Sequence, residues 1–561
     1  MNFARLLLAS FLLALASSAQ EPQYDFIISG GRIVDGTGNS WFYGDVATRG
    51  DRIERITPPG MLRQATARER IDATNLVVSP GFIDIQSGSS NEILSGDSRL
   101  ISHVGQGITT EIMGEGWTPA PENERTAAAM TSLGRNSTEL RFTGEHGFDT
   151  WIRLMQERTP SVNFGSFVGA TTVRQYVMGM QEGAATPAQI DEMKMLVRNA
   201  MRDGAFGIGS ALIYPPGIYA NTHELVEIAK AMSPYGGVYI THMRSEADHL
   251  LEAIDEALTI GREGGVPVEI YHLKASGRRN WVKMQEAIAQ IDNARRHGQD
   301  VGADMYPYLA GGTGLTACFP PWSAADGKLF ENLANPDARA RMKAEMGQPK
   351  TEWENMGQLA GPENILIVAL KQPQNVRFNG KRLSEIAQIE GKDWRDSAMD
   401  LVLSEHRRVE TMYFLMNEDN LALQLRQPWI KIGTDSSGIN PENATQLAHP
   451  RSYGTFPRIL GEFVREKHTI TLEDAIRKMT SATARRLSIR DRGLLQPGMF
   501  ADVVVFDPNT IADRATYDSP HQLPAGIKYV MVNGAVVMHD GQHTGAKPGR
   551  AVRGPGWEGS H

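Results

Sequence analysis

A chain of 561 residues, 41% hydrophobic and 22% charged, has the composition of an ordered globular protein long enough to bury a large core. Its formal net charge of -8 comes with scattered lysines and arginines, which excludes the basic patch of a nucleic-acid binder. The single cysteine, Cys318, rules out an intramolecular disulfide, and its apolar setting in TACFPPW points to a buried, inert thiol.

Residues 1–19 read as a secretory signal, with Arg5, the apolar run LLLASFLLALA, and small Ser17 and Ala19 spaced for cleavage. The run is short for a membrane span, so the expectation is an exported protein, periplasmic or secreted, with no membrane span after signal removal. Next, YDFIISGGRIVDGTG and DVATRGDRIERIT alternate short strands with Gly and Asp-Gly turn signals. The C-terminal ADVVVFDP and GIKYVMVNGAVVMHDG mirror this pattern. The two ends, 23–77 and 486–558, are therefore predicted to assemble one small β-sandwich domain.

The middle, 78–485, alternates. Apolar strand candidates recur at VVSPGFIDI, ITTEIMG, VNFGSFVG, AFGIGSAL, GVYITHMR, VPVEIYHLK, DVGADMYPY and WIKIGTD, with helix-like segments between most of them. In SEADHLLEAIDEALTIGREGG, Leu250, Ile254, Leu258 and Ile260 form a stripe near helical period, and a Gly pair ends it. Eight strands alternating with helices predict an α/β fold, a (β/α)₈ TIM barrel whose chemistry sits at the C-terminal strand ends. The span from about 309 to 424 is too long for one connection and reads as an insertion able to cover the barrel mouth.

His242 ends one strand candidate, His272 the next, and Asp435 a later one. Imidazole and carboxylate are ligands that zinc accepts, and a catalytic zinc typically takes three protein ligands. A lone histidine at a strand end is more often structural; two on successive strands followed by TDSSG point to a site. His103 and His223 read as helix or loop residues, and His449 as shaping the loop that presents Arg451. Asp84 reads as structural or as support for a site, and Arg174 as lining a pocket or pairing on the surface. The SSG after Asp435 lacks the GxSxG elbow of a serine hydrolase.

THMR, YHLKASG, DMYPY, IGTDSS and HPRSYGTFPRILG, in this order, resemble the N-acyl-D-amino-acid deacylases (D-aminoacylases) of the amidohydrolase superfamily. The flanks SGGRIVDGTG and KMTSATARRLSIRDRGLLQPGMFADVVVFDP agree, so the likeness spans the mature chain. It implies zinc at the barrel mouth and hydrolysis of the amide of a small N-acyl amino acid. It further implies that His242 and His272 are zinc ligands and that Asp435 is the catalytic carboxylate. Lys274, Tyr306 and Arg451 resemble substrate-contacting positions, with Arg451 on the substrate carboxylate.

The chain also departs from that pattern. The family's first-strand GFIDxHxH is GFIDIQSGSS here, so Gln86 and Gly88 stand where two histidines would. The family's GNCG-like turn is Gly114-Glu115-Gly116-Trp117, in which Gly116 aligns with the family's cysteine and Glu115, one residue away between glycines that permit adjustment, is the replacement ligand; AFGIGSAL has no lysine to bridge two metals. One zinc per chain, on Glu115, His242 and His272, is the expectation. The alternatives are another amidohydrolase reaction, such as a D-dipeptidase or cyclic-amide hydrolase, or a metal-poor exported relative that binds small amides. The sequence sets neither acyl group nor oligomeric state.

Overall fold

The computed structural model describes residues 23–134 and 141–559; the segment read as a secretory signal lies outside them. Both ends of the described chain enter one nine-stranded sheet. Tyr24–Ile33 pairs antiparallel with Phe42–Arg49 on one edge, and parallel with Ala67–Asp72 and then Val77–Pro80 on the other. Val503–Phe506 joins Val77–Pro80 antiparallel and carries Ile527–Val532 and Ala535–His539 beyond it. Alternating β-branched residues explain the join: Ile28, Val46 and Ile71 from one end pack with Val503, Val505 and Met531 from the other.

At Gly81 the chain leaves this sheet for a parallel barrel. A Cβ at that position would lie 2.1 Å from the Thr109 hydroxyl oxygen, so the crossing needs glycine. The barrel strands are β1 (Phe82–Asp84), β2 (Ile108–Met113), β3 (Asn163–Ser166), β4 (Gly207–Ala211), β5 (Val238–His242), β6 (Val268–Ile270), β7 (Val301–Met305) and β8 (Ile430–Ile432). Neighbours pair parallel from β1 to β3 and from β4 through β7 to β8, and the Phe206 N–H bonds to Ser166 O between β3 and β4. The ring closes where Asp435 N donates to Gln86 O at 2.8 Å and Gly88 N to Ser436 O at 2.7 Å. All eight strand candidates of the sequence thus appear, as a (β/α)₈ barrel with a β-rich unit built from both ends.

Between β7 and β8 the chain builds a separate layer. Ala310–Gly314, Glu410–Phe414 and Ile365–Ala369 form an antiparallel sheet backed by helices such as Pro336–Met346 and Trp394–Glu405. It has its own core, including Leu315, Leu333, Ile367 and Val402, and Gly312, Thr313 and Arg408 from it reach the barrel mouth. Cys318 is buried in that core, and burial pushes its thiol up to about 12, as its apolar setting predicts. Among the described residues no helix is long and apolar enough to cross a membrane.

Candidate active site at the barrel mouth

A cavity of about 1040 Å³ opens at the C-terminal ends of the strands. The residues given a metal, catalytic or substrate role from the sequence line it: Glu115, His242, His272, Lys274, Tyr306, Asp435 and Arg451. The strands place them. His242 is the last residue of β5, His272 and Lys274 follow β6, Tyr306 follows β7, and Asp435 follows β8. Arg451 opens the helix Arg451–Arg458. His272 and Asp435 have φ of 34° and 49°, left-handed values that a side chain adopts only when its surroundings demand it.

Glu115, His242 and His272 converge, with one ligand atom of each within 4.8 Å of the others. Oε1 of Glu115 lies 3.1 Å from Nδ1 of His242 and 3.2 Å from Nε2 of His272. Two ligands on a tetrahedral zinc with bonds near 2.0 Å stand about 3.3 Å apart, so this donor set fits that ion. Gly114 and Gly116, at φ 109° and 71°, allow the turn that carries Glu115 inward. Burial opposes the charge of Glu115, but His272 and His242 outweigh it and hold the carboxyl well below its ordinary range.

Behind the histidines stands Glu246, a residue the sequence reading passed over although it lies four positions after His242 in THMRSE. Its Oε1 is 2.9 Å from Nδ1 of His272 and its Oε2 3.6 Å from Nε2 of His242. A carboxylate on the far nitrogen orients a ligating imidazole and raises its basicity. Lys274 lines the cavity, but its ammonium is buried and held by both Glu246 oxygens at 2.7 and 2.8 Å. Its first partner is therefore Glu246.

Arg451 is buried, and its Nη1 is 2.6 Å from Oδ2 of Asp435. Its guanidinium carbon sits 4.7 Å from the ring centre of Tyr306, a cation–π contact, and its Nε has no hydrogen-bond partner among the described residues. Burial pushes the Asp435 carboxyl up against the pull of Arg451, and Glu115 pushes it the same way. Nδ1 of His449 accepts from Arg451 N at 3.1 Å and its Nε2 donates to Ala310 O at 2.9 Å, so His449 does shape this loop.

A D-aminoacylase from Alcaligenes xylosoxydans xylosoxydans is 34% identical over 537 residues, covering 96% of this chain and 99% of that protein. The chain belongs to the N-acyl-D-amino-acid deacylase family of amidohydrolases. An amidohydrolase family model matches residues 397–538 of this deacylase-family enzyme. Among solved structures, a D-aminoacylase described by its binuclear metal centre, with one-metal activation and second-metal attenuation, is 33% identical with a TM-score of 0.77. That match covers 94% of this chain and 100% of the other. An N-acyl-D-glutamate deacylase from Bordetella bronchiseptica, complexed with zinc and a phosphonate inhibitor, is 31% identical with a TM-score of 0.78, covering 94% of this chain and 99% of that one.

The departures from the deacylase pattern have a structural counterpart. Gln86 is buried, and its Nε2 donates to Oε2 of Glu115 at 2.6 Å, so the residue at a lost histidine position supports the carboxylate instead. At Gly88 a Cβ would meet the Ser437 hydroxyl oxygen at 3.1 Å, because the loops after β1 and β8 are zipped together there. Asp84 holds that zipper, accepting from Gln86 N, Thr434 N and the Thr434 hydroxyl, which makes it structural. Arg174 corrects an expectation. It neither lines the cavity nor pairs on the surface: its helix, Ala170–Met178, packs inward, and its Nη1 meets Glu224 at 2.5 Å with both side chains buried.

Proposed function

We propose that this enzyme hydrolyses the amide bond of N-acyl-D-amino acids, using one zinc ion held by Glu115, His242 and His272. The observation that carries the reading is the convergence of those three side chains in the cavity that also holds the Asp435–Arg451 pair. What zinc supplies when bound is Lewis acidity, polarising the scissile carbonyl and lowering the pKa of a ligating water. Asp435 accepts a proton from the attacking water and returns it to the leaving amine, the general base and acid of one cycle. The raised pKa direction of its carboxyl suits a group that must both take and give a proton. Arg451, whose Nε has no partner among the described residues, holds the substrate carboxylate, and the Tyr306 ring packs against its guanidinium. Glu246 fixes the ring of His272, and Gln86 fixes the carboxylate of Glu115.

The single-ion count is supported by the side chains at the first strand, where Gln86 is committed to Glu115 and Gly88 offers no ligand. It also accords with the solved D-aminoacylase described as activated by one metal and attenuated by a second. The N-terminal signal pattern supports export, so the reaction is assigned to the periplasm or the exterior. The test is elemental analysis of chelator-free mature protein together with turnover on acyl-D-amino acids, their L-isomers, dipeptides and hydantoins. Near-stoichiometric zinc and selective release of D-amino acids are expected. Two tightly held ions, or turnover confined to dipeptides or hydantoins, would overturn the reading.

A further inference from the structure

A second chemical array opens on the same cavity, on the side where the first-strand histidines are missing. Ser436 lines the cavity wall and is partly exposed. Its Oγ lies 3.2 Å from Nε2 of His103, and Nδ1 of that ring lies 2.8 Å from Oε1 of Glu111. His103 and Glu111 are fully buried. The other oxygen of Glu111 accepts from the Ser87 hydroxyl at 2.6 Å, so the carboxylate is fully engaged and cannot turn away. His103 comes from the short helix Ile101–Val104, Glu111 from β2 and Ser436 from the loop after β8. Three elements therefore build one relay, from the Ser436 hydroxyl through the His103 ring to the Glu111 carboxylate.

We infer that Ser436, His103 and Glu111 form a serine–histidine–glutamate triad, a second acyl-transfer centre that acts on small carboxylic esters without metal. A hydroxyl, a base within hydrogen-bond reach and a buried group orienting that base define a nucleophilic triad by geometry, whatever the order in sequence. The Glu111 carboxylate takes the Nδ1–H of His103, which leaves the Nε2 lone pair facing the Ser436 hydroxyl. In the forward step Oγ bonds to the ester carbonyl carbon while its proton passes to Nε2. The carbon–alkoxide bond then breaks, and the alcohol leaves with that proton. Water cleaves the acyl-serine by the same path: its proton goes to Nε2 and returns to Oγ as the carboxylic acid departs. The turn is held for this role, with the Ser436 carbonyl bonded to Gly88 N at 2.7 Å and Asp435 before it at φ 49°.

The test uses the full mature enzyme, as purified and after chelation, with an alkyl fluorophosphonate as probe and p-nitrophenyl acetate as ester. In the labelling step the oxygen–phosphorus bond forms at Oγ and fluoride leaves. One adduct per chain on the peptide containing Ser436 is expected, unchanged by chelation and absent in Ser436→Ala. His103→Gln should slow labelling roughly 10²–10⁴-fold, the contribution of a positioned general base. Should the buried His103 variant fail to fold, the p-nitrophenolate burst of the wild type against that of Ser436→Ala decides the matter, with thermal unfolding as the control for fold. No adduct in the wild type, an adduct on another residue, a need for zinc, an unslowed His103→Gln, or a burst equal in Ser436→Ala and wild type would overturn the triad. Zinc-dependent turnover of acyl amino acids is read separately, through Asp435, so the two readings fail independently.

Discussion

Gln86 donates from Nε2 to Oε2 of Glu115 at 2.6 Å, while Oε1 of the same carboxylate faces His242 and His272. The glutamine and the glutamate, two departures from the deacylase pattern, thus meet each other. Such a contact fixes which oxygen of Glu115 is free to ligate. Removing an orienting partner of this kind typically costs about 10–100-fold in metal affinity. Gln86→Leu should therefore weaken zinc binding by that order in a competition titration with a fluorescent chelator. An unchanged affinity would mean that the histidines alone set the ion's position.

Asp435 carries the proton transfers in the proposed reaction. Asp435→Asn keeps the size of the side chain but cannot accept a proton from water. Zinc content should persist, and turnover should fall about 10²–10⁴-fold. Near-normal turnover in the zinc-loaded variant would transfer the base role to another carboxylate, with Glu115 and Glu246 the neighbours to test.

Arg451 has two possible duties, because it already pairs with Asp435 at 2.6 Å. Arg451→Lys retains the charge and removes the planar fork. Hydrogen bonds to charged groups contribute about 1.5–3 kcal/mol, so KM for substrates with a free carboxylate should rise roughly 10–100-fold. Their neutral amide or ester counterparts should be spared. Equal losses on both kinds would show that the guanidinium serves Asp435 alone.

The Arg174–Glu224 pair should act on stability. Both side chains are buried, and Nη2 of Arg174 also holds the Gly183 carbonyl at 2.5 Å. Breaking one side of such a pair leaves an uncompensated charge, at a cost of about 3–5 kcal/mol. Glu224→Leu should lower the midpoint of urea unfolding accordingly, with zinc content intact in the folded fraction. A variant as stable as the wild type would mean that Arg174 finds another partner or reaches water.

Much of this protein was legible in its sequence because the relevant signals are local. Strand and helix periods belong to contiguous residues, so eight strand candidates, the β-rich ends and the insertion could be placed from pattern. A parallel barrel brings its C-terminal strand ends to one face, so residues at or just after those ends, such as His242, His272 and Asp435, share one mouth once the order of strands is known. Partnerships between side chains of different strands and loops were not legible. Gln86 and Glu115 are 29 positions apart, His103 and Ser436 333 apart, and neither spacing repeats any period of the chain. Pairing of β1 with β2 decides the first contact, and closure of β8 on β1 with the packing of a four-residue helix decides the second. The same closure buries Asp84 in the zipper, and inward packing of a different helix turns Arg174 away from the surface. The sequence determined which chemical groups reach the barrel mouth, since local periodicity sets where each strand ends. Only the tertiary structure decided which group holds which, since strand register and loop closure bring together side chains that no local pattern relates.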